Sequence, residues 1–520
     1  MEKNDRRCSD PRPSDPRPSD PRDEIEACIA TLERIAEDRG LLAEVDEAMR
    51  QRLVMAAGQV SRPDRAALRK MAKAFRRKEK GERRRADEEV LDATGIRALR
   101  RAPVFVTPPL LPGPPPPAAA STEPGPRELK SARKCYVCKA EFTRVHEFYD
   151  QMCEPCAELN WQKRNQSADL RGRVALVTGA RVKIGYHAAI KLLRAGAHVV
   201  VTTRFPRDAA ARYAREDDYE AWRDRLEVHG LDLRHTPSVE AFCAHMLEAL
   251  PRLDFILNNA CQTVRRPAGF YRHLMELESA GHDAVPALAR PLLERWEDHR
   301  RARHAALVKE RAQLGRDAGM IDPAALSQLE LLPEDRGADL ALFPPDRLDA
   351  HLQQVDLRGR NSGRLTLAEV SSVELLEVHL VNAVAPFVLN ARLKPLMLRV
   401  PTRDKHVVNV SAMEGQFYRE HKTDKHPHTN MAKAALNMMT RTSAPDYVKD
   451  GIHMNSVDTG WITDEDPVEI AARKVEEHGF HPPLDVVDGA ARIVDPVFDG
   501  INTGEHVWGL FLKDYKPVPW

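Results

Sequence analysis

Apolar residues in the first hundred positions keep to helical faces. Ile25, Cys28, Ile29, Leu32 and Ile35 form one stripe, and Leu41, Leu42, Val45 and Met49 continue it beyond Gly40. This spacing predicts a helical region over 23–102. From about residue 170 the pattern changes. Short apolar runs at 174–177, 198–203, 226–233, 255–258, 407–410, 452–457 and 506–512 alternate with longer helical ones. Runs so short and so rich in β-branched residues predict strands buried on both faces. Strands alternating with helices predict an α/β fold, a doubly wound parallel sheet over 167–520. One interval breaks the rhythm, because Asn258 and Asn382 stand 124 residues apart. The charged stretch of about 273–370 between them, with a helical run at 292–314, reads as an insertion. It falls near the carboxyl ends of the strands, where such sheets bind ligands, and would serve as a lid or a partner-docking arm.

Other segments have no apolar period. Residues 1–22 repeat Ser-Asp-Pro-Arg-Pro and predict a disordered tail. The proline-rich 103–130 predicts a semi-rigid, exposed linker. Within 131–166 stand Cys135-Tyr136-Val137-Cys138 and Cys153-Glu154-Pro155-Cys156, with 14 residues between the pairs. That spacing suits a zinc ion held tetrahedrally by Cys135, Cys138, Cys153 and Cys156. Four thiolates leave no open coordination position, so the zinc would be structural. His146 lies between the pairs, either a fifth candidate ligand or a packing residue.

Composition adds limits. The 520 residues hold 79 Lys and Arg against 78 Asp and Glu, so no global charge draws the chain to nucleic acid or membrane. Locally, 62–85 holds twelve Lys and Arg against three acids. This basic helix reads as a solvated face or as a nucleic-acid or protein contact. No apolar leader and no run of 18 apolar residues occurs, so a cytoplasmic protein without a membrane span is expected. A reducing compartment also suits paired thiols that bind metal.

The candidate chemistry begins at 174–185, where a buried strand, a Gly-containing turn and a helix start make a phosphate site. The next strand ends at Arg204 with no acid beside it, and Arg181 and Lys183 add positive charge in the turn. An arginine there accepts a 2′-phosphate, which favours NADP(H) over NAD.

Together these features resemble the short-chain dehydrogenase/reductase family over about 169–520. Its TGxxxGxG turn reads here Thr178-Gly179-Ala180-Arg181-Val182-Lys183-Ile184-Gly185, with Lys183 in place of the middle glycine. Its NNAG reads Asn258-Asn259-Ala260-Cys261. The resemblance implies a Rossmann-like fold and hydride transfer between NADP(H) and a carbonyl or alcohol. It implies cofactor contacts from Thr178, Gly179, Arg181, Lys183, Ile184, Gly185, Arg204, Asp232, Leu233, Asn259, Ala260, Lys433, Gly460 and Thr463. Ser411 would orient substrate, Asn382 would hold a relay water, and Lys433 would bind the nicotinamide ribose.

One departure bears on catalysis. The family's tyrosine precedes the lysine by four residues, and that position here is Thr429. A threonine hydroxyl is shorter and far less acidic than a phenol tuned by a lysine. Tyr418 and His428 are the candidate substitutes. An oxidoreductase with an altered proton donor therefore competes with an inactive NADP(H)-sensing or scaffold module. A third reading is nucleic-acid or protein binding through the basic helix and the cysteine pairs. The family resemblance also implies a homo-oligomer, and the insertion or the 23–102 region would be the surface for a protein partner. The small-molecule substrate is not legible.

Overall fold

The computed structural model describes residues 20–110, 127–302, 322–335, 341–419, 422–463, 467, 469–470, 473, 476–477 and 481–520. The proline-bearing tail over 1–19 and the linker over 111–126 lie outside them. The chain divides into two compact units, 1–84 and 85–520.

In the first unit, helices Pro21–Glu37 and Glu47–Ser61 precede the long helix Arg65–Asp92. Asp20 and Asp46 cap the first two by accepting the backbone N–H groups of Arg22 and Met49. The apolar stripe predicted there is largely exposed, Ile25, Ile29 and Met49 included. The basic run forms part of one 28-residue helix, with Arg83 paired to Glu79 one turn away.

The second unit opens with a helix at Gly95–Arg101 and an antiparallel hairpin, β1 (Glu128–Lys134) and β2 (Glu141–Arg144). The hairpin turn carries the first cysteine pair, and the second pair opens helix Glu154–Asn165. The main sheet follows: β3 (Val174–Thr178), β4 (His198–Thr203), β5 (Leu226–Gly230), β6 (Phe255–Asn258), β7 (Lys405–Ser411), β8 (Ile452–Asp458), β9 (Phe511–Lys513) and β10 (Lys516–Val518). Their order across the sheet is β10-β9-β8-β7-β6-β3-β4-β5, parallel except for β10. Strand order reverses between β3 and β6, which opens a crevice at their carboxyl ends.

Each face of the sheet has its own apolar core. Helices Lys183–Arg194, Pro206–Tyr213 and Val486–Thr503 cover one face, and helices Thr236–Ala249 and Ala385–Met397 the other. Ser372–Met397 is long and apolar enough to cross a membrane by length and composition. Here Leu389, Leu393, Leu396 and Met397 bury themselves in the second core.

Several predicted boundaries shift. The third strand ends at Gly230, so Asp232 and Leu233 sit in the loop beyond it, facing the crevice. The predicted last strand narrows to Phe511–Lys513, because Gly504 ends the preceding helix in a left-handed conformation and Gly509 turns the chain again. His506 instead meets His406, ring nitrogen to ring nitrogen, at 3.0 Å. The helical run in the insertion is observed over 294–302, and 303–321 lies outside the described residues. Arg265 pairs with Asp335 and Glu377, and Arg266 with Asp356, so both arginines are spent on holding the insertion.

The linker does not stand free over 103–110. Phe105 N donates to Ala350 O at 2.8 Å, Thr107 Oγ1 to Glu216 at 2.8 Å, and Arg194 to Pro108 O at 2.9 Å. The Phe105 ring sits edge-on to His187 at 5.3 Å. His187 is buried, and its Nδ1 hydrogen-bonds no described residue. Burial pushes its pKa down to about 3, from 6.5. The fold therefore holds the neutral imidazole, and its contribution is complete above about pH 6.5 and declines as pH falls toward 3. His187→Phe is expected to flatten that acid limb: its thermal midpoint should drop less between about pH 6.5 and 4 than that of the parent chain.

Candidate functional site

The crevice is built around the turn after β3. Gly179 has φ +66°, and a Cβ there would lie 2.8 Å from Ala260 Cα. A Cβ on Gly185 would run into Asn259 Nδ2. Asn259 Nδ2 donates to Thr178 O at 3.0 Å and Gly179 O at 3.2 Å, and Ala260 N donates to Thr178 Oγ1 at 3.0 Å. The end of β6 thus clamps the turn, and the two glycines permit the approach. Lys183 has φ +55°, so this chain keeps the left-handed backbone of a glycine position with a lysine in it. No side chain caps Val182, the residue before helix Lys183–Arg194, and the helix start faces the crevice. The cleft measures about 490 Å³ and is lined by Gly179, Lys183, Ile184 and Gly185, with Asn259 and Ala260 opposite.

At one end stands Arg204. Its Nη2 donates to Tyr271 OH at 2.7 Å, and its guanidinium lies 4.6 Å from the centre of the Tyr271 ring. Tyr271 belongs to the long connection after β6, and no sequence signal linked it to Arg204. Arg181 also borders the cleft, but its guanidinium is buried against Asp208 at 2.7 Å, which neutralises it. Lys183 makes no ion pair with any described residue, so Lys183 and Arg204 carry the cleft's usable positive charge here. Asp232 is buried at the cleft wall beside Leu233. Burial works against its charge, but the Arg234 guanidinium at 2.7 Å outweighs it and holds the carboxyl below its ordinary range.

β7 ends at Ser411, which is not among the residues that line this cleft. Helix Pro427–Tyr447 carries Thr429 and Lys433 one turn apart, both buried. Lys433 Nζ donates to Val410 O at 2.8 Å, beside Ser411. The Ser411 and Thr429 hydroxyls are buried and hydrogen-bond no described residue. Asn382 lies in a π-helical turn, Leu380–Val384, a distortion frequent at functional sites. Its Oδ1 accepts from Gln262 N at 2.8 Å and its Nδ2 donates to Gln262 O at 3.0 Å. The structure does not bring Tyr418 to this group, since that residue is 90% exposed and Ser411 Oγ hydrogen-bonds no described residue. Its segment turns outward after Gly415, which rests on the Lys433 helix. His428 is buried, and its Nε2 lies 3.4 Å from Glu374 Oε1.

Gly460 (φ +79°) and the half-buried Thr463 follow β8. Asp458 ties this loop to Ser411's strand: it accepts from Gly460 N and Met413 N, each at 2.8 Å, and is the register partner of Ser411.

The four cysteines converge. Their sulfurs all lie within 4.8 Å of one another, with Cys138 Sγ and Cys153 Sγ 3.6 Å apart. A tetrahedral zinc with bonds of about 2.3 Å spaces its sulfurs about 3.8 Å apart, so the donor set fits. His146 is turned away to other work, its Nδ1 accepting from Phe148 N at 3.0 Å. Sequence reasoning missed the residues that fasten this segment to the sheet domain. Tyr149 OH donates to Asp488 at 2.6 Å, and Arg164 pairs with Asp485 and Asp488 at 2.6 and 2.8 Å.

Parts of this chain are similar to known families and proteins. Residues 173–274 match the short chain dehydrogenase family model, and 346–479 the enoyl-(acyl carrier protein) reductase model. An uncharacterized protein of Acanthamoeba polyphaga mimivirus is 31% identical over 386 residues, covering 71% of this chain and 72% of that protein. Dehydrogenase/reductase SDR family member 13 of Bos taurus is 38% identical over 104 residues, 19% of this chain and 27% of that protein. Among solved structures, a short-chain dehydrogenase from Streptomyces avermitilis aligns with TM-score 0.38 at 17% identity, covering 66% of this chain and 87% of that one. The Pseudomonas aeruginosa RhlG/NADP active-site complex aligns with TM-score 0.41 at 17% identity, covering 66% and 95%.

The left-handed Lys183 generates a test. A side chain in that conformation costs about 1–2 kcal/mol. Lys183→Gly is expected to raise the thermal midpoint, measured by scanning calorimetry.

Proposed function

This chain carries a short-chain dehydrogenase/reductase domain, and on that premise we propose that it is an NADP(H)-binding oxidoreductase for a carbonyl or alcohol, with Thr429 at the family's tyrosine position. One observation carries the reading. Two buried hydroxyls, Ser411 and Thr429, have no partner among the described residues, and Lys433, one turn beyond Thr429, donates to Val410 O beside Ser411. An unsatisfied buried hydroxyl costs roughly 1–3 kcal/mol, and a substrate oxygen would satisfy such a group. NADP(H), when bound, supplies or accepts the hydride. Gly179, Gly185 and the uncapped helix start would receive the pyrophosphate, and Lys183 adds charge there. Arg204, steadied on Tyr271, would receive the 2′-phosphate, with Asp232 at the adenine. Lys433 would hold the ribose, and Ser411 would donate to the substrate oxygen. Thr429 can hydrogen-bond that oxygen but is a poor acid. The nearest titratable ring on its helix is His428, next to Glu374.

A second reading keeps the binding and drops the turnover, leaving a dinucleotide-sensing module. Its support is that no tyrosine hydroxyl bonds Ser411 or Thr429 among the described residues. We also propose that Cys135, Cys138, Cys153 and Cys156 hold a structural zinc, which their spacing accommodates.

Two measurements test these readings. Arg204→Ala is expected to weaken NADPH binding about tenfold to a hundredfold, the worth of a charged hydrogen bond, and to leave NADH binding nearly unchanged. NADPH oxidation across a panel of aldehydes and ketones should be lost in Lys433→Ala. Tight NADPH binding without any Lys433-dependent turnover would decide for the sensing module.

A further inference from the structure

One side chain of the cysteine segment reaches the loop after β8. Tyr136 stands between Cys135 and Cys138, and its hydroxyl accepts a hydrogen bond from Trp461 N at 3.0 Å. The same oxygen lies 3.2 Å from where a Cβ on Gly460 would be. Gly460 is therefore confined twice, by its φ of +79° and by the phenol beside it. On its far side the loop hangs from Asp458, the residue that also holds Met413 and pairs in register with Ser411. Lys513 completes the cluster, 5.6 Å from the Tyr136 ring centre and 3.4 Å from Asp458.

The placement of Tyr136 depends in turn on the cysteine turn. Cys135 N donates to Ala140 O and Tyr136 N to Gln151 O, both at 2.8 Å. Gln151 Nε2 donates to His481 O at 2.7 Å. Leu484 is buried in the apolar cluster of the cysteine segment, and Ile462 packs against that cluster. The segment behind is fixed to helix Val486–Thr503 by Tyr149, Arg164 and the Asn160–Arg492 bond at 2.6 Å. A metal joining the two cysteine pairs would close the turn whose Tyr136 side chain supports the loop after β8.

We propose that Tyr136 is a positioning residue for the loop at 458–463, and that metal held by the four thiolates sets cofactor affinity through it. The inference rests on the zinc and NADP(H) readings above, and the tests below separate its failure from theirs. Tyr136→Phe keeps the ring beneath Lys513 and removes only the acceptor for Trp461 N. It should retain the parent metal content and thermal midpoint, yet weaken NADPH binding about fivefold to tenfold, the range for one lost hydrogen bond. Amide exchange over 458–463 should quicken in the same variant. Stripping the metal from the unmutated protein with a chelator should produce the same two changes. Stripping Tyr136→Phe should add little, because the two act on one link. Unchanged NADPH affinity and unchanged exchange in a metal-replete Tyr136→Phe would overturn the role of Tyr136. Metal loss verified by elemental analysis, with affinity and exchange unaltered, would overturn the coupling. A protein that neither carries nor takes up zinc would overturn the zinc reading and the metal half of this proposal. One that binds no NADPH at any zinc level would overturn the cofactor reading.

Discussion

Asn259 holds together the point on which the sheet domain depends. Strand order reverses between β3 and β6, and the two strand ends must stay apart enough to leave a crevice yet close enough to shape it. The Asn259 amide spans them by donating to Thr178 O and Gly179 O, while Ala260 N takes the Thr178 hydroxyl. That close approach is why Gly179 and Gly185 cannot carry side chains. The helix start, the cleft and its line of cations all take their positions from this contact.

Around it, charge is handled in two ways. Most arginines near the crevice are buried and paired: Arg181 with Asp208, Arg234 with Asp232, Arg265 with Asp335 and Glu377. Such pairs fix geometry, and losing one partner typically costs about 3–5 kcal/mol. Lys183 and Arg204 differ, since neither forms an ion pair within 4.0 Å with a described residue, although Arg204 still helps to hold Asp232 ionised. The insertion supplies Asp335 and Asp356 as anchors, and Tyr271, just ahead of it, is the platform under Arg204.

The strands of the main sheet were legible because parallel strands buried on both faces are nearly continuous apolar runs. The cysteine pairs were legible because metal-ligand spacing is local. The glycine-position role of Lys183 could be read by motif alignment, although its left-handed backbone could not. What escaped was long-range. Tyr271 under Arg204, Asp208 against Arg181 and Tyr136 beneath Trp461 each depend on packing between distant segments. The same limit explains Tyr418, which follows Ser411 closely in sequence but turns to solvent. It also explains the last strand, where apolar character extended back to His506 but two left-handed glycines set the turn.

The way the cysteine segment is fastened has a consequence for the order of events during synthesis. Its anchoring partners are made long after it: Tyr149 and Asp488 are 339 positions apart, and Arg492 bonds Asn160 across 332. The four thiols therefore leave the ribosome long before the helix that will cover their segment exists. Until then the segment can gather its ligands locally and lean only on the helix before it, through Arg97–Asp150 and Ile96. Contacts of such sequence separation form late, and a chain arranged this way depends on an early local fold enduring while several hundred further residues are added.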